Sequence, residues 1–411
     1  MKQSIETQLL NVPYDRQDAY LALAMPVYHT VAFECETAEE MELLFSGQAP
    51  GHYYSRVSNP TVAYFEERVQ ALTGAMSVTA SNSGMAAISD TLMTVAYAGA
   101  NIVSSNHLYG NTYSLMKNIL SHFGVELRTC DMTNLKEVRS KIDDHTCAVF
   151  VEVITNPQLE VVDLQALSTV CHALHVPLIA DTTVVPFCVF DAKALGVNIE
   201  VISSTKYISG GATSTGGLLI DYGTFDWSHS KVLKTWHETF GMEAFTMRMK
   251  KETGRSMGSY MTPQVAYMQT LGLETLKMRF ERQASTCLAL AQQLQTLPAI
   301  PSVNYPGLKE STFYQISTAQ FGPWPGAMLT FDLPSRAACF SFLNRLKIIR
   351  RATNLFDNRS LAIHPASTIY GSFTVEQREK MHIREHTIRL SVGLESVDDL
   401  LEDIKQALRQ L

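Results

Sequence analysis

The chain lacks most of the features that assign a protein to a special class. Its 411 residues include only seven cysteines: Cys35, Cys130, Cys147, Cys171, Cys188, Cys287 and Cys339. They are scattered, odd in number and never in a C-x-x-C pair, which argues against a disulfide framework and against a structural zinc site. Positive charge is not in surplus. With 33 Lys and Arg against 40 Asp and Glu, the net charge is −7, and nucleic acid, which is bound by basic faces, is not an expected partner. No uninterrupted apolar run reaches membrane-spanning length, so no membrane partner is expected either. The start, Met1-Lys2-Gln3-Ser4-Ile5-Glu6, lacks the apolar core of a secretion signal, and the expected location is the cytoplasm. There is no internal repeat and no low-complexity segment. What remains is an ordinary globular composition, 46% hydrophobic and 18% charged, in a chain long enough for two or more domains and a large core.

Organisation changes along the chain. The first 60 or so residues show no strong periodicity and include the turn-rich Gly51–Pro60, which suits an arm contacting a neighbouring subunit or an ordinary irregular start. From residue 61 strands and helices alternate. Helices are expected over 61–73, 83–97, 112–122, 134–141 and 164–175. Strands are expected over 77–79, 101–105, 125–129, 147–154, 176–180, a run ending at Lys206, and 217–220. This alternation of apolar strands with helices predicts a parallel sheet covered on both faces. A helical stretch over 263–297 leads into a second region with strands over 327–333 and 387–392 and helices over 335–346 and 397–410. The expected division is an arm (1–60), a large α/β domain (61–264) and a smaller C-terminal α+β domain (265–411).

The chemistry concentrates at strand ends, where ligands bind in an open α/β sheet. Val201-Ile202-Ser203-Ser204-Thr205-Lys206-Tyr207 is an apolar run that ends in three hydroxyl residues and a lysine. A lysine buried beside such a strand is costly unless its charge is neutralised or used, which makes Lys206 a candidate for Schiff-base chemistry. The plainer reading is a strand end whose lysine reaches solvent. Ser83-Gly84-Met85 opens a helix whose backbone N–H groups suit an anion, although many helices begin with Ser-Gly. Asp181 closes an apolar strand, where it needs a cation or several hydrogen bonds, unless it is only a helix N-cap. A phosphate cradle, a carboxylate and a lysine are together what pyridoxal phosphate requires. The lysine forms the imine, helix terminus and hydroxyls hold the phosphate, and the carboxylate keeps the ring nitrogen protonated so that the ring can absorb charge.

With these residues placed, the chain resembles the pyridoxal 5′-phosphate (PLP)-dependent enzymes of Cys/Met metabolism, which include cystathionine γ-synthase, methionine γ-lyase and O-acetylhomoserine sulfhydrylase. The resemblance runs through nearly the whole chain in the family's order. It implies a PLP-dependent transferase of fold type I, with a mostly parallel seven-stranded sheet in the large domain. It also implies roles. Tyr54 and Arg56, before Ser58-Asn59-Pro60-Thr61, would reach the cofactor phosphate of a neighbouring subunit. Ser83-Gly84-Met85 would bind phosphate, and Tyr109 would stack on the ring. Glu152 and Asn156-Pro157 match E-x-x-x-N-P, with Asn156 near the ring hydroxyl and substrate. Asp181 and Thr183 match D-N-T, and Ser203, Thr205 and Lys206 match S-x-T-K. Arg389-Leu390-Ser391-Val392-Gly393 matches the motif whose arginine grips the substrate carboxylate. Arg389 also makes sense alone, since a guanidinium can hold a carboxylate in a planar bidentate pair.

Within the family, Asn354-Leu355 followed by Asp357 and Ser360-Leu361 through Thr368 resembles the O-acetylhomoserine sulfhydrylase form. The implied reaction is γ-replacement, converting O-acetylhomoserine and sulfide or a thiol to homocysteine or methionine and acetate, with Lys206 as proton shuttle and Tyr109 assisting. Methionine γ-lyase and the cystathionine enzymes are the same-family alternatives. A regulatory metal- or thiol-binding protein is the alternative of another class; it rests on the pairs His172/His175 and His382/His386, and no bound metal is expected. Three positions depart from the family pattern: Phe356 for glycine beside the substrate site, Gly211 for histidine, and Asn111 for a small residue. Phe356 is expected either to reshape the pocket or to pack inside. A shared site implies a homodimer or homotetramer.

Overall fold

The structure, a computed structural model, describes residues 4–12 and 20–409. The larger sheet contains β1 (Ser77–Ser81), β2 (Asn101–Ser105), β3 (Glu126–Cys130), β4 (Thr146–Glu152), β5 (Leu178–Asp181), β6 (Ile199–Ile202) and β7 (Gly217–Asp221). Their order is β1-β7-β6-β5-β4-β2-β3. β3, β2, β4, β5 and β6 run parallel, and β7 is antiparallel to β6 and β1. The reversal at β7 has a local cause. Residues 203–216 contain turns but no helix, so the chain folds back beside β6 without the helical crossover that parallel neighbours use.

Both faces of this sheet are covered, as the unbroken apolar strands predict. Along β4, Ala148 and Phe150 join one buried cluster with Ile102, Ile179 and Ile199. Val149 and Val151 join the other with Val103, Leu178 and Leu218. This is the period-two alternation of a strand feeding two cores. The helices α1 (Ile5–Leu10) and α2 (Ala38–Ser46) lie in the N-terminal segment, where no periodicity is legible. The next helix, α3 (Pro60–Thr73), starts where the Asn59 side chain accepts the Thr61 N–H and Pro60 takes the first turn; it stops at Gly74, whose φ is 63°. After β1, α4 (Gly84–Val95) is capped by Ser83, which accepts the Ala86 N–H.

A smaller antiparallel sheet follows, built from β8 (Ser302–Asn304), β9 (Met328–Asp332), β10 (Leu361–Ile363) and β11 (Thr387–Ser391) in the order β10-β11-β9-β8. The helices Leu276–Leu294 and Val397–Leu408 pack together beside it; residue 410, the expected end of the second, lies outside the described residues.

Several boundaries differ from expectation. The strand expected to reach Lys206 ends at Ile202, because the Ser203 N–H turns aside to the Thr183 hydroxyl at 2.8 Å. The stretch 263–297 is two helices, Pro263–Glu274 and Leu276–Leu294, meeting at Thr275. Arg279 stabilises the break by donating to the Gly272 carbonyl at 2.7 Å and to the Thr275 hydroxyl at 3.1 Å. The helix expected over 112–122 begins at Gly110 and passes through a π stretch (Leu115–Ile119) and a 3-10 turn (Leu120–Phe123). Residues 227–257 contain a run of short helices that ends in Gly254–Met257. All seven cysteines are free. No helix among the described residues is long and apolar enough to cross a membrane.

Candidate active site

The carboxyl ends of the larger sheet's strands open onto a cavity of about 350 Å³, closed from the other side by the C-terminal region. Ser83, Gly84, Met85, Tyr109, Asn156, Asp181, Thr183, Ser203, Thr205, Lys206, Asn354 and Arg389 all line it. Topology explains the convergence: Glu152 ends β4 and Asp181 ends β5, while Ser83, Tyr109 and Lys206 sit just beyond β1, β2 and β6.

Lys206 donates its amine to Asn354 Oδ1 at 2.9 Å. Burial, followed by the positive charge of Arg389, brings its pKa down to about 8, with Asp181 opposing. The amine is therefore far easier to deprotonate than a solvated lysine. Asp181 accepts the Thr183 N–H at 2.9 Å. Burial raises its pKa above the usual carboxylate range, although Thr183 and Lys206 pull the other way.

Arg389, on β11, is only 2% exposed. Its Nη1 donates to Asn156 Oδ1 at 3.0 Å and its Nη2 to the Thr353 carbonyl at 3.4 Å, while Nε is buried without a partner. Both partners are neutral, so burial dominates and brings the pKa down to about 10. A carboxylate is what this donor set lacks.

At the opposite end, Gly84 and Met85 begin α4 beside Ser203. A Cβ on Gly84 would lie 2.6 Å from Ser203 Cβ and 2.8 Å from its Cα, so only glycine permits this approach of the helix terminus to the lysine-bearing segment. The cradle suits a phosphate. Two of its hydroxyls are already engaged: Ser83 caps α4, and Thr205 both accepts the Gly216 N–H at 2.9 Å and donates to the Gly216 carbonyl at 3.2 Å.

Glu152 is the residue whose part was least legible in the sequence. Its carboxyl lines the cavity and accepts the N–H groups of Tyr109 at 2.5 Å and Asn156 at 3.3 Å. Burial, then the negative charge of Asp181 beside it in register, lifts its pKa to about 8, leaving a neutral acid at pH 7. The E-x-x-x-N-P match singles out Glu152 in the sequence, but neither its protonation nor its backbone partners can be read there. Tyr109 keeps its proton, since burial raises its pKa. Thr215, Thr353, Leu355 and the apolar Ile88, Ile154, Val184 and Ile369 complete the lining.

Tyr54 and Arg56 stand outside the cavity of their own chain. Arg56 donates to the Arg255 carbonyl at 2.7 Å and lies over the Tyr54 ring, 5.3 Å from its centroid. Phe356 is fully buried and does not line the cavity; its ring stacks on Tyr207 at 4.1 Å and 8°. Its φ of 53° points the side chain into the core, a backbone conformation that glycine adopts without strain. Of the two expectations for this residue, packing inside is the observed one. The Gly211 carbonyl accepts Arg359 Nη2 at 2.8 Å, and Asn111 is exposed. His382 meets not His386 but His107, at 3.0 Å, and among the described residues no three His, Cys, Asp or Glu side chains form a metal-binding group.

A deprotonatable amine, a buried carboxylate, a glycine-lined helix terminus and an arginine without an anionic partner fit PLP carrying an amino acid. Known proteins agree. The family model for Cys/Met metabolism PLP-dependent enzymes matches residues 6–409. A solved structure of a putative O-acetylhomoserine (thiol)-lyase from Campylobacter jejuni, containing N'-pyridoxyl-lysine-5'-monophosphate, superposes with a TM-score of 0.95 at 31% identity, covering 99% of this chain and 100% of that one. An O-acetylhomoserine sulfhydrylase from Wolinella succinogenes is 43% identical, with a TM-score of 0.77 over 86% of this chain and 98% of its own. The L-methionine γ-lyase of Pseudomonas putida is 33% identical over 98% of this chain and 96% of its own. The chain belongs to the Cys/Met metabolism family of PLP-dependent enzymes, and pyridoxal 5′-phosphate is its cofactor.

Proposed function

We propose that the protein catalyses γ-replacement, joining sulfide or a thiol to the four-carbon unit of O-acetylhomoserine and releasing acetate. The observation that carries the amino-acid part of this reading is Arg389, a buried guanidinium with one N–H unsatisfied and no anionic partner, facing the cavity that holds Lys206. The substrate carboxylate supplies that partner. When bound, the cofactor supplies the electron sink for charge developing beside the substrate nitrogen.

The remaining steps belong to side chains. Lys206 would take the proton from Cα and then move a proton at Cβ; its lowered pKa suits both tasks. Asn354, hydrogen-bonded to the amine, sets its position. Asp181 holds the proton on the ring nitrogen. Tyr109, on the cavity wall, would pack against the ring, and Glu152 holds the Tyr109 and Asn156 backbones in place. Ser83, Gly84, Met85, Ser203 and Thr205 would hold the phosphate end, while Thr183 orients Asp181 through its N–H. The C–O bond at Cγ breaks, acetate departs with the electron pair, and a C–S bond forms at the same carbon. Acetate leaves readily, so no strong acid is required at Cγ.

Among the described residues, no arginine lines the cavity beside Ser83, Gly84 and Ser203. We assign that charge to Arg56, with Tyr54, from a neighbouring subunit, so the working unit is at least a dimer. The exposed Tyr20, Leu21, Leu23, Val31 and Phe45 of the N-terminal segment support burial of that segment against another copy. A cytoplasmic setting fits the seven free cysteines.

Replacement is favoured over elimination by the 43% identity to the Wolinella sulfhydrylase; the similarity to the Pseudomonas γ-lyase makes elimination from methionine the second reading. Purified enzyme given O-acetylhomoserine, with and without sulfide, should form homocysteine only when sulfide is present. α-Ketobutyrate from methionine alone, without homocysteine from the first mixture, would sink the proposal in favour of the lyase.

A further inference from the structure

Two chain segments lie side by side under the active site. Lys206 meets Asn354 at 2.9 Å, Tyr207 stacks on Phe356 at 4.1 Å and 8°, the Gly210 carbonyl accepts the Asn358 N–H at 2.6 Å, and the Gly211 carbonyl accepts Arg359 Nη2 at 2.8 Å. The contacts follow in the same order along both segments, so each one sets the register of the next. The aromatic pair is adjacent to the lysine contact on both sides. Tyr207 directly follows Lys206, and Phe356 lies one residue beyond Leu355, which lines the cavity with Asn354.

Both rings are held from behind. Phe280 meets Tyr207 edge-on at 5.2 Å, and the Tyr207 hydroxyl accepts the Ala327 N–H at 2.8 Å. The Phe356 N–H donates to Ser391 Oγ at 2.7 Å, on the strand that bears Arg389. Phe356 nevertheless adopts φ = 53°, a conformation disfavoured for a bulky side chain. It is kept there by the stack and by complete burial.

We propose that Phe356 is a positioning residue for Lys206: its stack on Tyr207 fixes the alignment of the 354–359 segment against the 206–211 segment, and so holds the Lys206 amine on Asn354. It acts on proton transfer and not on the choice of substrate, since its ring does not line the cavity. The inference rests on Lys206 as the proton-moving amine.

The test compares Phe356→Tyr, which keeps a flat face, with Phe356→Leu and Phe356→Met, which keep much of the volume without it; methionine adapts to imperfect cavities. Two readouts are taken. The first is kcat and KM for whichever amino acid the wild type turns over. The second needs no turnover: the pH at which apoprotein mixed with pyridoxal phosphate is half-maximally trapped by borohydride. The Leu and Met variants should lose roughly ten- to a hundredfold in kcat through misplacement of the amine, with KM within about twofold and the trapping midpoint displaced. The Tyr variant should retain wild-type values in both. Unchanged kcat and midpoint in Leu and Met, a change confined to KM, or failure of both to fold while Tyr behaves normally would each overturn the proposal. If the wild type does not use O-acetylhomoserine, the γ-replacement reading falls while the trapping series still decides the role of Phe356.

Discussion

Replacing Arg389 by methionine should separate stability from function. The guanidinium is buried, and its pKa is brought down to about 10; at about 1.4 kcal/mol per pH unit, charge burial costs roughly 3 kcal/mol. Its one good hydrogen bond, to Asn156 at 3.0 Å, returns about 1.5–3 kcal/mol as a charge-assisted bond. The two nearly offset, so Arg389→Met should change the unfolding free energy of the apoprotein by less than about 2 kcal/mol, below the roughly 3–5 kcal/mol lost when a buried ion pair is broken. Substrate recognition should behave differently. Losing two charge-assisted bonds to a carboxylate costs about 3–6 kcal/mol, a fall of roughly 10²- to 10⁴-fold in kcat/KM. Denaturation followed by circular dichroism and steady-state kinetics measure the two quantities. A destabilisation near that of a broken ion pair, or a kcat/KM within about tenfold of wild type, would refute the view that Arg389 is held in readiness for a substrate anion.

Three further outcomes are expected. The pKa of about 8 for Glu152 lies above the unfolded carboxylate range. Between pH ~4.5 and ~8 the folded protein therefore holds a proton that the unfolded chain has released, and this group's contribution to stability, complete at low pH, declines by up to roughly 1.4 kcal/mol per pH unit across that window. Glu152→Gln should flatten this decline in urea titrations run against pH; equal slopes would contradict the buried neutral acid. Gly84→Ala places a methyl 2.6 Å from Ser203 Cβ, and the shift it forces, at about 1–3 kcal/mol, should weaken cofactor binding roughly tenfold or more in fluorescence titrations. An unchanged affinity would mean that the helix terminus does not hold the phosphate. Arg56→Ala should weaken cofactor retention without lowering the unfolding temperature, and mixing it with Lys206→Ala subunits should restore part of the activity; no restoration would argue against a site completed by a neighbour.

Much of the site was legible because its residues stand at strand ends, where polar side chains break apolar runs. Asp181 closing Leu178–Ala180 and Ser83-Gly84 opening α4 are visible in one dimension. What escaped depends on contacts between distant segments. The protonation of Glu152 follows first from its burial and then from its register with Asp181, both of which only the assembled sheet reveals. The direction of Phe356 depends on a positive φ and on Tyr207, far away in sequence. The antiparallel turn into β7 and the break at Thr275 likewise arise from the lysine-bearing connection and from Arg279, not from local propensity. The assignment of Tyr54 and Arg56 needs a second subunit.

The central claim is that Lys206 carries the cofactor. Reducing the cofactor-loaded protein with borohydride, digesting it and mapping the modified peptide by mass spectrometry should place a pyridoxyl phosphate group on Lys206 and on no other lysine, with no labelling of the Lys206→Ala variant. Label on a different lysine, or equal labelling of that variant, would contradict it.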